Sequence, residues 1–139
     1  MYKATGYMNA GAEFDTHAEV CNWFGHSFKI FRRAVAKHSA EPELVIWFPR
    51  LYENDEWETW SSDDDEIIYE RKKEGNAEYV QSCLRRRELF KRLVFPAIRP
   101  GRYVFKGLYE IDSKNSLAES TITYRRTATR VKTYSRVNN

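Results

Sequence analysis

The sequence contains few of the residues on which disulfide-bonded and metal-binding domains depend. It has only two cysteines, Cys21 and Cys83, and their spacing matches no zinc or redox motif. They predict free thiols in a reducing cytoplasm rather than a disulfide framework. The three histidines, His17, His26 and His38, are too scattered for a zinc or HNH site. We therefore expect no metal and no cofactor.

Long apolar runs are also missing. No segment approaches the ~20 residues of a membrane-spanning helix, and the N-terminal stretch MYKATGYMNAGAEF lacks the apolar core of a signal peptide. No repeat or Gly/Ser linker divides the chain. Hydrophobic residues make up 42% and aromatic residues 15%, which excludes a disordered chain. We expect one domain over residues 1–139, and the sequence leaves open whether it was cut from a larger protein.

Charge is unevenly distributed along the chain. Residues 1–78 hold nine Lys or Arg against 16 Asp or Glu, a net charge of −7, whereas residues 79–139 hold 14 against four, a net charge of +10. If the halves fold together, the basic side can hold phosphates while the acidic side repels them. The alternative is that the two halves pair with each other across the sheet and cancel.

Turn residues and hydrophobic spacing predict mainly strands. Thr16 and Glu19 have the spacing of a capping box, which predicts a short helix ended by Gly25. Helix and strand compete over HSFKIFRRAVAKH (26–38), and AEYVQSCL (77–84) begins as a helix. Strands are expected in ELVIWFP, WETW, EIIYE, LFKRLVF, RYVFKGLYEID and STITYRRTATRVKTY, with DSKNS as a turn. The fold class predicted is α+β, a small curled and mainly antiparallel β-barrel with one or two helices near the N-terminal part.

The segment RYVFKGLYEID, residues 102–112, is predicted to be a central strand of the barrel wall. Alternation places Tyr103, Phe105 and Tyr109 on the same face as Gly107. A glycine inside a strand marks a bulge or the close approach of another backbone. The core is expected to contain Trp47, Phe48, Phe95 and Phe105.

The order of motifs resembles a known bacterial specificity module. WFP, the hairpin WETWSSDDDEIIYE, RYVFKGLYEID, NS and TYRRTATRVKTY together are similar to the PUA-like, SRA-type domains that accompany nuclease domains in modification-dependent restriction systems. The resemblance spans roughly Phe14 to Tyr134. It implies a curved β-barrel that binds DNA for bacterial defence and extrudes a modified base into an aromatic-lined pocket.

Reading an extruded base requires aromatic faces for stacking and a few groups that hydrogen-bond to the base edge. Trp57 and Trp60 lie among charges in the hairpin, which favours a binding surface over the core. An aspartate on the adjoining turn can accept a hydrogen bond from an exocyclic amine. The candidates for the base pocket are Trp57, Trp60, Tyr69, Asp63, Asp64, Asp65 and Tyr109. The competing interpretation is that strand aromatics fill the core of a small domain.

Two arginine-rich segments are candidates for phosphate contacts, because guanidinium groups match the geometry of phosphate oxygens. The candidates are Arg85, Arg86, Arg87, Lys91, Arg92, Arg125, Arg126, Arg130 and Lys132. We expect them to converge on one concave surface and to bind DNA in duplex form. The sequence does not separate DNA from RNA, and ordinary solubilising charge is the alternative.

Two other functions remain open from the sequence. The acidic hairpin from Glu53 to Glu78 could engage a basic partner, or mimic nucleic acid as a phage anti-defence protein does. The triplet Glu70-Arg71-Lys72, with Asp55 or Asp65, has the residue types of a metal-dependent nuclease, but an E-x-K triplet is common by chance. We therefore expect catalysis to reside in a fused or associated nuclease and not in this chain.

Overall fold

Twelve β-strands, three α-helices and one 3₁₀ helix form the described part of the chain, residues 1–52 and 54–137 of a computed structural model. In chain order they are β1 (Tyr2–Asn9), β2 (Glu13–Phe14), α1 (His17–Asn22), β3 (Val35–Lys37), β4 (Leu44–Trp47), β5 (Trp57–Ser61), β6 (Ile67–Lys72), α2 (Asn76–Arg85), the 3₁₀ helix (Arg87–Leu89), β7 (Lys91–Val94), β8 (Ala97–Arg99), β9 (Arg102–Val104), β10 (Gly107–Ile111), α3 (Ser113–Glu119), β11 (Ile122–Ala128) and β12 (Arg130–Arg136).

The strands form three sheets within the described residues. The largest has seven strands in the order β3-β4-β7-β10-β11-β6-β5, and it is accompanied by the pair β1-β12 and the three strands β2-β9-β8. Among these strand pairs only β4 and β7 run parallel, so the prediction of a mainly antiparallel fold is confirmed.

The seven-stranded sheet carries apolar packing on both of its faces. In β4, Ile46 points to a cluster that includes Phe24 and Phe95, whereas Trp47 points to a second cluster with Tyr109 and Tyr124. This division follows from the alternation of side chains along a strand. All four side chains of β4 are buried, as expected for a central strand covered on both faces. The four aromatic residues predicted for the core, Trp47, Phe48, Phe95 and Phe105, are each buried.

The helices agree with the sequence prediction only in part. Thr16 caps α1 by accepting a hydrogen bond from the Glu19 backbone N–H at 3.0 Å, as the capping-box spacing predicts, and α2 begins after Gly75. Two of the three helices, however, lie beyond the N-terminal part. The segment DSKNS, predicted to be a turn, begins α3, because Asp112 caps the backbone N–H of Asn115.

Residues 26–38 form a loop and strand β3 rather than a helix. Phe28 stacks on His26 and on Phe31, with ring centroids 4.4 and 4.9 Å apart. This aromatic stack fixes the loop against the first core cluster. The final segment STITYRRTATRVKTY also departs from the prediction, because it forms two strands, β11 and β12, which belong to different sheets.

The segment from residue 102 to residue 112 is split into β9 and β10 by Phe105 and Lys106. Gly107, which opens β10, has a φ of +128°, and the register of β10 against β11 shifts between Leu108 and Tyr109. The predicted irregularity at Gly107 is therefore confirmed, although it breaks the strand that was expected to be continuous.

Within the described residues, no helix has both the length and the apolar character that crossing a membrane requires. Cys21 is buried and Cys83 is partly buried, and both are free thiols.

Candidate functional site

A cleft of about 800 Å³ opens on the face of the seven-stranded sheet that carries Trp47. Its lining includes Val35 of β3 and Trp57 of β5, which belong to the two edge strands of the sheet. Residues from both edges can line one cleft only if the sheet is strongly curled. The predicted curl is therefore present. Helix α2, the 3₁₀ helix and Arg86 between them complete the lining; the helices contribute Tyr79, Ser82, Cys83 and Leu89.

Two tryptophans give the cleft its aromatic surfaces. Trp47 is buried, with 3% of its surface exposed, and its ring lies 4.7 Å from that of Tyr124. Trp57 is half-buried and contacts Tyr79 edge-on, with ring centroids 4.7 Å apart. The ammonium group of Lys72 lies 5.8 Å from the centre of the Trp57 ring. The sequence favoured the core for Trp47, which is buried and also lines the cleft.

The Glu70 carboxyl group is the buried acid of the cleft. It accepts a hydrogen bond from the Tyr79 hydroxyl. Burial raises the pKa of Glu70 above its ordinary value, although the Tyr79 hydrogen bond and the nearby Arg92 guanidinium act in the opposite direction. A carboxyl group with a raised pKa can accept a hydrogen bond when it is ionised and also donate one when it is protonated.

Arg92 is buried with 4% of its surface exposed, so it is not available to a phosphate on the outer surface. Its Nε donates to the Leu89 carbonyl at 2.8 Å, and its guanidinium lies 4.7 Å from the Trp47 ring centre and 4.9 Å from that of Tyr124. The stacked guanidinium holds the Trp47 ring and supplies positive charge beneath the cleft.

The loop between β4 and β5 positions Trp57. The Asn54 side-chain oxygen accepts hydrogen bonds from the backbone N–H groups of Glu56, at 3.1 Å, and Trp57, at 2.9 Å. Such a turn holds the backbone at the start of β5 through a local side chain. The ammonium group of Lys73 donates to the Asn54 carbonyl at 2.6 Å and ties the loop to the end of β6. Glu53, with which the predicted acidic hairpin begins, lies outside the described residues.

Of the residues predicted for the base pocket, the structure places Trp57 in this cleft. Trp60 and Tyr69 stack on each other, with ring centroids 5.2 Å apart, on the opposite side of the hairpin. The alternation of side chains in β5 explains this, since Trp57 and Trp60 are three residues apart and point to opposite faces. Both tryptophans therefore cannot line one cleft.

The remaining predicted pocket residues lie at the turn of the hairpin or in the core. Asp63 is exposed on that turn, Asp64 accepts hydrogen bonds from Ser62 and Glu66, and Asp65 pairs with Lys106 at 3.1 Å. Tyr109 is fully buried and donates its hydroxyl hydrogen to the Asp65 carbonyl. None of these four side chains lines the cleft, and Asp64, Asp65 and Tyr109 make contacts that hold the turn.

The predicted phosphate contacts do not converge into one cluster. Arg125 pairs with Asp112 at 2.6 Å and Arg126 with Glu66 at 2.8 Å, so carboxylates neutralise this part of β11. Arg130 lies 3.9 Å from the Tyr7 ring centre on the β1-β12 pair, where Lys132 is exposed. The exposed cationic side chains near the cleft include Arg50, which lines it, and the predicted Arg85, Arg86, Arg87 and Lys91, of which Arg86 contributes to the lining.

The structure brings together only some of the residues considered for a nuclease. Asp55 and Glu70 both line the cleft, but Asp65 lies at the far end of the hairpin beside Lys106. Within the described parts of the chain, no three His, Cys, Asp or Glu side chains are grouped as a metal site would require.

Sequence reasoning missed Glu70 and Tyr79 as parts of the cleft. A signal was present, because in EIIYE the alternation places Glu70 on the same face as the apolar Ile68. A lone acid on the buried face of a strand needs a partner, which is the Tyr79 hydroxyl. The identity of that partner depends on where α2 packs, which strand periodicity does not give.

The comparisons with known proteins agree with this architecture. Residues 1–133 match the SRA, or SET and RING associated, domain family. The chain belongs to the SRA family. The resemblance predicted from the sequence is thereby confirmed.

The SRA chain is also similar to a solved structure, the 5-hydroxymethylcytosine-specific restriction enzyme AbaSI. The two superpose with a TM-score of 0.80 and share 30% sequence identity, over 95% of this chain and 44% of the AbaSI chain. The chain therefore spans less than half the length of that enzyme. A search of curated proteins gave no match.

We predict that Glu70→Gln flattens the dependence of stability on pH. Because burial raises the pKa of Glu70, the folded protein holds this proton more tightly than the unfolded chain does. The stability contributed by the protonated group is present below the ordinary pKa of 4.5 and is lost as the pH rises through the higher folded value. Between pH 4 and pH 7 the variant should therefore lose less stability than the parent. The difference in free energy of unfolding should be about 1.4 kcal/mol for each pKa unit by which Glu70 is raised in the folded state.

Urea unfolding between those pH values measures the effect. Glu78→Gln, at an exposed position of α2, removes a carboxylate without altering the cleft and serves as the control. Identical pH profiles for the Glu70 and Glu78 variants would contradict the prediction.

Proposed function

We propose that this SRA domain recognises duplex DNA containing a modified cytosine and receives the extruded base in the 800 Å³ cleft. The family assignment and the similarity to a restriction enzyme specific for 5-hydroxymethylcytosine support this function. The observation that carries the proposal is the presence of two tryptophan rings and a buried carboxyl group in the same cleft.

The chemistry of the cleft matches the requirements of an extruded pyrimidine. Stacking on an aromatic ring contributes about 1–3 kcal/mol per base, which offsets the few kcal/mol needed to unstack it. The Glu70 carboxylate can accept a hydrogen bond from the cytosine amino group, and the protonated carboxyl can donate one to a ring nitrogen. A volume within the range of typical ligand pockets leaves room for a substituent on the ring, next to the Thr59 and Ser82 hydroxyls.

Phosphate binding is assigned to the rim of the cleft. Arg86 lines the cleft at the end of α2, and Arg85, Arg87 and Lys91 are exposed beside it in the sequence. Arg86 pairs with Glu88 at 3.3 Å, but both side chains are exposed, and a surface pair of this kind is weak enough to exchange for a phosphate. Neutralising each phosphate releases counterions, so binding by this rim must weaken as the salt concentration rises. Arg125 and Arg126 of β11 are already paired with carboxylates, so they add nothing to this salt dependence.

We predict that Arg86→Gln reduces the salt dependence of DNA binding. Losing one phosphate contact should lower the slope of log K against log[salt] by about 0.9 in magnitude. The matched control is Arg125→Gln, which removes the same charge from a guanidinium that is paired with Asp112. Fluorescence titrations at several salt concentrations measure both slopes. Equal slopes for the two variants would place the phosphates elsewhere.

We propose that this chain supplies recognition and that cleavage belongs to another segment or partner. The chain spans 44% of the length of AbaSI, which leaves space in such an enzyme for a separate nuclease domain. The free thiols of Cys21 and Cys83 fit the cytoplasmic location predicted from the sequence. The comparisons do not support the alternative of an interaction or anti-defence protein, and Trp57 of its acidic hairpin faces the cleft.

The proposed function is tested by binding to three otherwise identical duplexes that contain one cytosine, one 5-methylcytosine or one 5-hydroxymethylcytosine. We expect salt-dependent binding to all three and the tightest binding to a modified duplex. Very weak binding of all three that does not change with salt would reject DNA recognition. Strong binding without preference would reject the readout of the modification.

A further inference from the structure

A second cleft of about 520 Å³ lies on the other face of the sheet, against α1 and the loop of residues 27–34. One wall is an aromatic stack in which the His17 ring lies flat on Phe48, with centroids 3.9 Å apart and an interplanar angle of 4°. Tyr103 contacts His17 edge-on at 4.8 Å. The His17 Nδ1 donates to the Arg33 carbonyl at 2.9 Å, which fixes the orientation of the ring.

The second cleft is strongly cationic. Lys29, Arg32 and Arg50 line it, and no carboxylate of the described residues pairs with any of the three. Its one acidic lining residue, Asp15, is held at 3.0 Å by Arg102. Three cations that pair with no carboxylate of the described residues lie beside partly buried aromatic rings. This combination binds a nucleic-acid strand, since the cations hold phosphates while the rings stack on bases.

The two clefts are neighbours. Ala34, Phe48 and Arg50 line both of them, so a thin wall formed by the start of β3 and the end of β4 separates the first cleft from the second. Phe48 also carries the His17 stack, and Arg50 is placed to reach a phosphate between the two.

We propose that the second cleft holds the nucleotide next to the extruded base on the same DNA strand, with its phosphate on Lys29, Arg32 and Arg50 and its base against the Tyr103 side of the aromatic wall. This inference rests on the proposed function of the first cleft. It places a second subsite at residues 29–32. None of these residues was a candidate in the sequence, because a lysine and an arginine next to Phe28 and Phe31 resemble the polar face of a helix.

The test uses the double variant Lys29→Gln/Arg32→Gln, which leaves the lining of the first cleft unchanged. We expect the variant to bind cytosine and 5-hydroxymethylcytosine duplexes more weakly by the same factor, so that the preference for the modification is retained. Losing the contacts to this one phosphate should reduce the salt slope by about 0.9, so the parent should lose about 3.5-fold more affinity than the variant between 50 and 200 mM salt. Lys3→Gln/Lys114→Gln, at two exposed positions outside both clefts, is the charge-matched control.

Methylphosphonate substitution identifies the strand, because it removes the charge of a single phosphate. We expect a methylphosphonate next to the modified base, on the strand that carries this base, to weaken binding by the parent. The same substitution should cause no further loss of affinity in the double variant. Equal binding by the double variant and its control, or a loss confined to a methylphosphonate on the complementary strand, would overturn the second subsite. A parent protein without preference for the modified duplex would instead reject the proposed function of the first cleft.

Discussion

Replacing Trp57 with alanine is expected to weaken binding to a 5-hydroxymethylcytosine duplex by about 1–3 kcal/mol, or about 5- to 150-fold. The loss follows from removing a stacking surface that an extruded base would otherwise occupy. Binding to the unmodified duplex should fall less, because contacts to phosphates supply most of that affinity. Fluorescence anisotropy with both duplexes at one salt concentration measures the two losses together.

Trp60→Ala is the matched control for this prediction. Trp60 lies on the same strand, three residues further on, and 40% of its surface is exposed on the opposite side of the hairpin, where it stacks on Tyr69. Both variants delete one indole ring from β5, so a general weakening of the hairpin should appear in both. Equal losses of affinity would show that the cleft does not read the base. Thermal unfolding of each variant separates lost contacts from lost structure.

The pair also shows how much of the site the sequence predicts. Alternation along WETW requires Trp57 and Trp60 to face opposite sides, but it does not say which side is concave. That depends on the curl of the seven-stranded sheet, which brings Val35 of one edge strand to the same cleft as Trp57 of the other. Contacts of this kind join distant segments and leave no local pattern.

The distribution of charge along the sequence also did not reveal which distant residues pair. The uneven distribution of Lys and Arg pointed to a basic surface, yet Arg126 pairs with Glu66, a residue of the acidic half that is 60 positions away. Pairing with carboxylates thus neutralised the two arginines of β11, as one of the two interpretations of the sequence allowed. The cations that line the second cleft, which pair with no carboxylate in the described part of the chain, lie instead in the acidic half, at residues 29, 32 and 50.

Local sequence patterns predicted the structure correctly where they reflect a constraint on the backbone. The capping box at Thr16, the strand in ELVIWFP and the irregularity at Gly107 were all predicted and are all present. Residues 26–38 were ambiguous between helix and strand because Phe28, Phe31 and Val35 fit the helical period, whereas Phe28 and Ile30 fit the alternation of a strand. Their conformation is fixed by stacking of the two phenylalanine rings on each other and on His26, which no periodicity describes.

Gly107→Ala is expected to be the most destabilising of these substitutions. The φ of +128° at Gly107 is a conformation that L side chains rarely adopt, which costs about 1–3 kcal/mol. A Cβ at this position would also collide with the Ala128 carbonyl oxygen and lie 2.9 Å from the Arg126 Cδ. Because the carbonyl belongs to the paired strand β11, the sheet itself must shift, at a cost of about 1–3 kcal/mol. The total loss of about 2–6 kcal/mol is measurable by urea unfolding and is a large fraction of the stability of a small domain.

Gly11→Ala separates the two contributions to this loss. Gly11 has a similar φ of +103°, but a Cβ built there meets nothing within 4 Å, so this variant carries the backbone strain without the collision. We expect it to lose about 1–3 kcal/mol, and the difference between the two variants gives the cost of separating β10 from β11. If the two variants lost equal stability, the close approach at Gly107 would have no energetic weight. A larger loss at Gly107, together with weaker binding to the modified duplex, would show that the β10-β11 contact sets the curl on which the first cleft depends.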